Sequence, residues 1–149
     1  MKILFVCRGN VGRSQMAEAI FNTRAGSEHR AFSVGTMTRD KDGESSYGKS
    51  LQEMEAAKEV LVSLKELGID ASANKVDQLD EQMMQDADII IAMSEDYATP
   101  DFLKNSAKAR YWEVPDPKGM NQSDTNKVRD KIIEYVDALI DEIKAGKGV

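Results

Sequence analysis

The chain has 149 residues, of which 41% are hydrophobic and 31% are charged, and a formal net charge of −6. This size and composition predict one globular domain spanning residues 1–149. The acidic balance argues against a general nucleic-acid binder, and no apolar run is long enough to cross a bilayer. The only cysteine cannot form an internal disulfide, and Met1-Lys2 leads straight into the first predicted strand without a visible export signal, so we expect a cytoplasmic protein.

Hydrophobic periodicity and turn residues divide the chain into alternating strands and helices. The predicted strands are Ile3–Val6, Ala31–Val34, a brief Ala73–Val76, Ile89–Ala92 and Ala109–Trp112. The predicted helices are Arg13–Arg24, Leu51–Leu67, a short Glu81–Gln85 capped by Asp80, a short piece near Pro100, and Asp124–Ile143. Loops are predicted at Thr36–Ser50 and Val114–Asn121, and a frayed tail at Lys144–Val149. Strands that alternate with helices predict an α/β sandwich built on a parallel sheet.

The stretch between the first strand and the first helix carries the strongest chemical signal. It runs from Cys7 to Ser14 with the sequence C-R-G-N-V-G-R-S. Two glycines allow a tight curl, and successive N–H groups in such a curl, backed by a helix N-terminus, form an anion site. Arg13 adds a planar fork that suits phosphate, and a thiol aimed into this cup is expected to react as a thiolate. The pattern therefore predicts a phosphate cradle with a nucleophile at its base.

The combination resembles the low-molecular-weight protein tyrosine phosphatase family and its sister branch, the thioredoxin-type arsenate reductases. The resemblance rests on C-x5-R followed by serine and covers nearly the whole chain. Its further segments are Phe32–Thr36, Leu67–Asp70, Asp86–Met93 and Asp116-Pro117. It implies a three-layer α/β sandwich in which helices flank a four-stranded parallel sheet, as in the phosphotyrosine phosphatase I fold.

The resemblance and the local chemistry together suggest four catalytic residues. Cys7 is expected to attack phosphorus, and Arg13 to hold two phosphate oxygens and stabilise the transition state. Asp116 is the expected general acid, which then activates water as a carboxylate. Ser14 is expected to donate a hydrogen bond to the Cys7 sulfur, with helix capping as the competing explanation.

The remaining predicted contacts to substrate come from the loop itself and from one distant tyrosine. The expected binding residues are Arg8, Gly9, Asn10, Val11, Gly12 and Tyr47. Backbone N–H groups supply most of these contacts, Asn10 braces the loop, and the Arg8 side chain points outward near the entrance. Tyr47, in the long loop, is expected to line the opening. No metal or other cofactor is required by this chemistry.

Several residues depart from the phosphatase pattern. Gly12 stands where many family members have a second cysteine, and Lys118-Gly119 replaces the aromatics that often sandwich a phosphotyrosine ring. The sequence R-S-Q-M-A-E from Arg13, together with Trp112 and Val128-Arg129-Asp130, is closer to the reductase branch, but the relay cysteines of that branch are missing. Some reductases also hold potassium, at places that match Asn10, Glu18, Ser33 and Asp77 here.

Three functions remain open from the sequence. The first is a phosphomonoesterase acting on a phosphorylated protein or a small phosphomonoester. The second is an arsenate reductase that depends on an external thiol or a glutaredoxin-like partner. The third is an oxyanion-binding regulatory protein with little turnover. None of the three calls for a nucleic acid or a membrane as partner.

Overall fold

The computed structural model describes residues 1–39 and 46–146 of the chain. Four strands form one parallel sheet, in the order β2-β1-β3-β4. Their bounds are β1 Lys2–Cys7, β2 Arg30–Gly35, β3 Ile89–Ala92 and β4 Ala109–Tyr111. The helices are α1 Arg13–Arg24, α2 Lys58–Lys65, α3 Glu81–Asp86, α4 Asp101–Lys104 and α5 Gln122–Lys144. This is the fold class that the sequence predicts.

Strand β1 explains why the sheet is covered on both sides. Ile3, Phe5 and Cys7 point to one face and belong to a core that includes the buried sides of α1, α2 and α5. Leu4 and Val6 point to the other face, into a second core that draws on α3 and α4. Side chains alternate along a strand, so a continuous apolar run requires helices on each side. The result is three layers.

The chain order across the sheet determines where a ligand site can form. From β1 the chain moves to β2 at one side, and later returns to β3 on the other side of β1. Parallel sheets bind ligands beyond the carboxyl ends of their strands, at the point where the direction of winding reverses. Cys7 is the last residue of β1 and lies at this point.

The predicted helix over Leu51–Leu67 is wrong in its first half. Leu51–Glu53 and Glu55–Ala57 are 3-10 turns, separated by an extended Met54, and only Lys58–Lys65 is α-helical. Met54 has extended backbone angles, φ −111° and ψ 120°, and these interrupt an α-helix. The first 3-10 turn is also joined to a distant segment, because the N–H groups of Leu51 and Gln52 donate to the carbonyls of Asn74 and Ser72, at 2.8 and 3.0 Å.

Other predicted boundaries shift for similar reasons. Ala73–Val76 is not a strand; it pairs through one isolated bridge, Ser50 with Lys75. Trp112 lies beyond β4, and α5 begins two residues earlier than predicted, with Asn121 as its cap. The predicted long loop and tail include residues 40–45 and 147–149, which lie outside the described residues. In the described ranges, no helix combines the length and apolar character needed to cross a membrane.

Candidate active site

The loop of residues 7–14, called the phosphate loop below, joins the end of β1 to the start of α1. Asn10 adopts a left-handed conformation with φ 55°, and Gly12 precedes the first helical residue. Across the described residues, the backbone N–H groups of Gly9, Val11, Gly12 and Arg13 donate to no protein oxygen. Unpaired donors at a helix N-terminus are the usual elements of an oxyanion site.

Gly35 lets β2 approach the phosphate loop closely. A Cβ atom at this position would lie 2.5 Å from Thr38 Cγ2, 2.8 Å from the Arg8 carbonyl oxygen and 3.0 Å from the Asn10 nitrogen. The next residues clamp the loop, since the N–H groups of Thr36 and Met37 donate to the carbonyls of Cys7 and Arg8, each at 2.9 Å. The end of β2 therefore fixes the curl of the loop.

The Cys7 sulfur lies on the floor of the phosphate loop, and the residue is 2% exposed. Its Sγ is 2.9 Å from Ser14 Oγ and accepts the Asn10 N–H at 3.3 Å. Asn10 Nδ2 donates to Ser14 Oγ at 2.8 Å. Because that bond occupies the serine oxygen as an acceptor, the serine hydroxyl proton is free to point at the sulfur. The Ser14 hydroxyl and the Asn10 N–H therefore both face the sulfur.

Ser14 does not cap the helix. Gly12 occupies the cap position, and no side chain caps this end of α1. The capping alternative for Ser14 is therefore wrong, and its role toward the sulfur stays a prediction. Asn10 was expected to brace the loop by bonds to the loop backbone, but its partners differ. Its Nδ2 donates to Ser14 Oγ, and its Oδ1 accepts the Asp77 N–H at 2.8 Å and Gln15 Nε2 at 3.3 Å.

The Arg13 guanidinium is buried and anchored on one side. Nη1 donates to the carbonyls of Met93 at 2.6 Å and Val114 at 3.3 Å, and Nη2 donates to Glu95 Oε1 at 2.7 Å. Guanidinium has five N–H donors in a fixed fork. Within the described part of the chain, these contacts leave the Nε–H and one Nη2–H without a protein acceptor, which is the pair that a phosphate group accepts from in a bidentate contact.

Asp116 reaches the phosphate loop from the segment after β4. Its Oδ2 lies 2.9 Å from Arg8 Nη2 and 3.9 Å from Arg13 Nη2. Its Oδ1 accepts the Lys118 N–H at 3.0 Å. The next residue packs on the loop, because a Cβ at Gly12 would lie 2.7 Å from Pro117 Cγ. Glycine at position 12 therefore lets the Asp-Pro segment settle onto the loop.

The Arg8 side chain lies at the mouth of the site, as expected, and it contacts more than the sequence indicates. It donates to Tyr97 Oη at 2.5 Å as well as to Asp116. Burial alone would lower the pKa of Arg8, but the hydrogen bond to Tyr97 and the charges of Asp116 and Glu95 raise the pKa above its ordinary value. Arg8 is therefore a permanent cation beside the carboxylate.

Sequence reasoning missed Glu95 and Tyr97. Both follow β3, whose carboxyl end meets that of β1 at the same edge of the sheet. That adjacency was the available signal, since residues just after neighbouring parallel strands share an edge.

For the other predicted binding residues, the surrounding contacts say less about their roles. Val11 packs against the main core, and no atom lies within 4 Å of a Cβ at Gly9. Tyr47 is half-exposed, with the Arg39 guanidinium carbon 4.1 Å from its ring centre. Its place at the opening stays a prediction.

The residues matched to a potassium site fit it only in part. Glu18, Ser33 and Asp77 line a cavity of about 300 Å³ that does not include Cys7. Carboxylate and hydroxyl oxygens suit a hard cation, but Asn10 Oδ1 is taken by the two donors named above. Burial raises the pKa of Glu18, while hydrogen bonds from Ser33 and the charge of Arg30 offset part of this. No cluster of three or more His, Cys, Asp or Glu side chains suited to a metal occurs in the ranges 1–39 and 46–146.

The comparison with protein families agrees with this geometry. The family model described as low molecular weight phosphotyrosine protein phosphatase matches residues 2–148. The chain belongs to this family. A crystal structure of the low molecular weight protein tyrosine phosphatase from T. tengcongensis superposes with a TM-score of 0.78 at 30% identity, covering 95% of this chain and 99% of that one.

Two further proteins similar to this chain are named for other activities. The YwlE arginine phosphatase from Geobacillus stearothermophilus has a TM-score of 0.79 at 25% identity, covering 97% of this chain and 94% of its own. A protein of Staphylococcus epidermidis named arsenate reductase 2 is 30% identical over 138 residues, 92% of this chain and 94% of the relative. The family thus supports a phosphatase-type function and includes relatives named for arsenate reduction.

Proposed function

We propose that this chain is a metal-independent phosphomonoesterase that works through a cysteinyl-phosphate intermediate. The observation that supports the proposal is that Ser14 Oγ and the Asn10 N–H lie against the Cys7 sulfur, while the Asp116 carboxyl lies 2.9 Å from Arg8 and 3.9 Å from Arg13 of the same loop. The third function from the sequence, binding with little turnover, has no supporting observation, because each group that turnover requires is present.

The first chemical step forms the S–P bond and breaks the bond between phosphorus and the leaving oxygen. Cys7 attacks as the thiolate, with its sulfur held by Ser14 and the Asn10 N–H. The loop N–H groups and Arg13 take the charge on the phosphoryl oxygens. Asp116, protonated at this stage, gives its proton to the leaving oxygen, so the product departs as a neutral alcohol or phenol.

The second step reverses these roles. Asp116, now a carboxylate, takes a proton from a water molecule while that oxygen attacks phosphorus. The S–P bond breaks, inorganic phosphate forms, and the electron pair returns to sulfur as a thiolate. The Ser14 hydroxyl, 2.9 Å from the sulfur, stabilises this departing charge. One cysteine is enough for the complete cycle.

The rim of the site argues against a phosphotyrosine-only substrate. Lys118 and Gly119 follow Asp116-Pro117, and Arg8 follows the nucleophile. These residues offer charge rather than two aromatic walls for a ring. We propose a phosphorylated protein or a small phosphomonoester as the substrate class, with cytoplasmic action. Phosphoarginine belongs in the test set, because one solved relative is named an arginine phosphatase.

Arsenate reduction is the second candidate, favoured by relatives such as the arsenate reductase 2 of S. epidermidis. The same cradle that accepts phosphate accepts arsenate, which has the same shape and charge. With a single cysteine in the chain, the electrons must come from an external thiol or a glutaredoxin-like partner. Hydrolysis needs no such partner, and for that reason we place it first.

One preparation assayed in two ways separates the candidates. The first assay follows hydrolysis of p-nitrophenyl phosphate, phosphotyrosine and phosphoarginine. The second follows arsenite formation from arsenate with glutathione and glutaredoxin, and separately with mycothiol. We expect hydrolysis in the first and none above background in the second. Arsenite formation without hydrolysis overturns the proposal, and Cys7→Ser serves as the blank for both assays.

A further inference from the structure

The Arg8 side chain connects three loops at the mouth of the site. Arg8 follows β1, Tyr97 follows β3 and Asp116 follows β4. One arm of the guanidinium donates to Tyr97 Oη at 2.5 Å and the other donates to Asp116 Oδ2 at 2.9 Å. We propose that Arg8 is a positioning residue that holds the general acid Asp116 over the phosphate loop, an inference that rests on the proposed phosphatase function.

The geometry gives Arg8 a rigid base for this task. Its backbone lies in the phosphate loop, where its carbonyl accepts the Met37 N–H at 2.9 Å and lies against Gly35. Its side chain is 31% exposed and that of Asp116 is 33% exposed. The guanidinium is planar and rigid, so the bond from one Nη to Tyr97 fixes the direction in which the other Nη meets Asp116. The contact with Arg8 therefore fixes the position of Asp116 relative to the phosphate loop.

Asp116 receives only one other side-chain or backbone hydrogen bond in the described ranges, the Lys118 N–H on Oδ1. That bond comes from two residues away and orients the carboxyl within its own turn. Arg8 supplies the contact that crosses to the nucleophile. Without it, the carboxyl stays attached to its turn but loses its fixed distance from the phosphate, which proton transfer requires.

The two arginines of the loop have separate tasks. Arg13 is anchored by the Met93 and Val114 carbonyls and by Glu95, and it lies 3.9 Å from the Asp116 carboxylate. Arg13 keeps its Nε–H and one Nη2–H for a phosphate group. Arg8 directs one Nη to Tyr97 and the other to Asp116. We therefore assign Arg8 to the leaving-group side, and its loss should spare phosphate binding.

A leaving-group series tests this division directly. Aryl phosphates from phenyl phosphate to dinitrophenyl phosphate differ in how much the departing oxygen needs a proton. The variants are Arg8→Ala, Arg8→Lys, Tyr97→Phe and Asp116→Asn, and kcat, KM and inhibition by inorganic phosphate are measured for each. Arg24→Ala is the matched control, since Arg24 forms an exposed ion pair with Asp137 at 2.9 Å, on α1 and α5.

We expect Arg8→Ala to lower kcat/KM, which reports formation of the cysteinyl-phosphate, at least about 10-fold with phenyl phosphate, within the roughly 10²–10⁴-fold that acid–base assistance supplies. The loss in kcat/KM should vanish with dinitrophenyl phosphate, and phosphate inhibition should stay unchanged. Arg8→Lys should restore part of the rate, and Tyr97→Phe should show a smaller loss of the same kind. In the Asp116→Asn background, Arg8→Ala should cost nothing further.

Equal losses of kcat/KM with every leaving group, or additive losses of kcat/KM in the double variant, overturn the positioning role and leave the phosphatase proposal intact. A wild-type protein that hydrolyses no aryl phosphate, and no other monoester tested, overturns both. Weaker phosphate inhibition in Arg8→Ala would place Arg8 on the phosphate instead, which also contradicts the inference.

Discussion

The floor and the rim of the site are built in opposite ways. The floor consists of Cys7, Asn10, Arg13 and Ser14, each of which is at most 4% exposed and bonded to its neighbours. The rim consists of the side chains of Arg8, Tyr97, Asp116 and Lys118, of which Tyr97 is 70% exposed. The buried side chains of the floor have few alternative hydrogen-bond partners once the chain is folded. Each rim side chain, by contrast, can exchange its protein partner for water or substrate.

This difference gives floor and rim separate tasks in the proposed mechanism. There, the floor supplies the groups for attack on a tetrahedral oxyanion, whichever molecule carries it, and the rim holds and protonates the leaving group. Changes on the floor should therefore affect every substrate alike, and changes on the rim should discriminate among substrates.

Removal of the nucleophile is the most severe test of the floor. Cys7→Ser should lower kcat by a factor on the order of 10⁶, the scale found when a catalytic nucleophile is lost. Phosphate should still bind, because the loop N–H groups and Arg13 are untouched, and a phosphate-dependent rise in Tm measures this. Residual turnover near the wild-type rate would remove Cys7 from the chemistry.

Removal of the acid is the corresponding test of the rim. Asp116→Asn should lower kcat/KM for phenyl phosphate by roughly 10²–10⁴-fold, because the leaving oxygen then departs without a proton. The loss in kcat/KM should be much smaller for a nitrophenyl ester. If kcat/KM falls equally for both esters, the carboxyl acts on the phosphate and the distinction between floor and rim fails.

Ser14→Ala tests the contact beneath the sulfur. A hydrogen bond to a charged group contributes about 1.5–3 kcal/mol, so kcat should fall about 10- to 100-fold. The loss should be largest in the step that releases sulfur from phosphorus, so the cysteinyl-phosphate should accumulate. Rapid-quench detection of a burst of phenol release measures this accumulation; a variant that slows only the first step would contradict the assignment.

Gly12→Ala tests whether floor and rim are mechanically coupled. The new methyl group would lie 2.7 Å from Pro117 Cγ, so the Asp-Pro segment must move outward. A shift of less than 1 Å should cost roughly 10-fold in kcat for phenyl phosphate, below the ~10²-fold that a full ångström can cost. Adding Pro117→Ala should recover part of the rate, and no recovery would mean that the damage lies in the loop itself.

The smallest expected effect concerns stability rather than catalysis. Burial raises the pKa of Glu18 above that of the unfolded chain. The folded protein then keeps a proton that the unfolded chain has released, so this site loses stability as pH rises from about 4.3 through the raised folded value. The free energy of unfolding of wild type minus that of Glu18→Gln should therefore fall as the pH rises above about 4.3. Urea titrations at several pH values measure it, and a difference that rises with pH would contradict the burial effect.

The sequence predicted the floor better than the rim, for a physical reason. Cys7, Asn10, Arg13 and Ser14 lie within eight consecutive residues, so local conformation alone brings them together. The partner of Arg8 at position 97 lies 89 residues away, and Asp116 lies 108 residues away. Such contacts depend on the packing of loops beyond different strands, and no local pattern encodes them.

The same reason explains why the predicted helix over Leu51–Leu67 is wrong in its first half. The apolar spacing of Leu51–Leu67 does satisfy a helix, and Leu51 and Ala57 are buried as that spacing predicts. The side-chain spacing does not predict that the backbone of residues 50–52 pairs laterally with residues 72–75. Side-chain pattern and backbone pairing are independent requirements, and tertiary context overrides local preference here.

Glycine at position 12 has a consequence for the response to oxidants. Peroxide converts a thiolate to a sulfenic acid, which a second thiol traps as a reversible disulfide. This chain has no other cysteine, so only a backbone nitrogen or a separate thiol molecule can intercept the sulfenic acid before further oxygen makes the damage permanent. The residue that lets the Asp-Pro segment pack closely therefore leaves recovery of the enzyme to the cell's reductants.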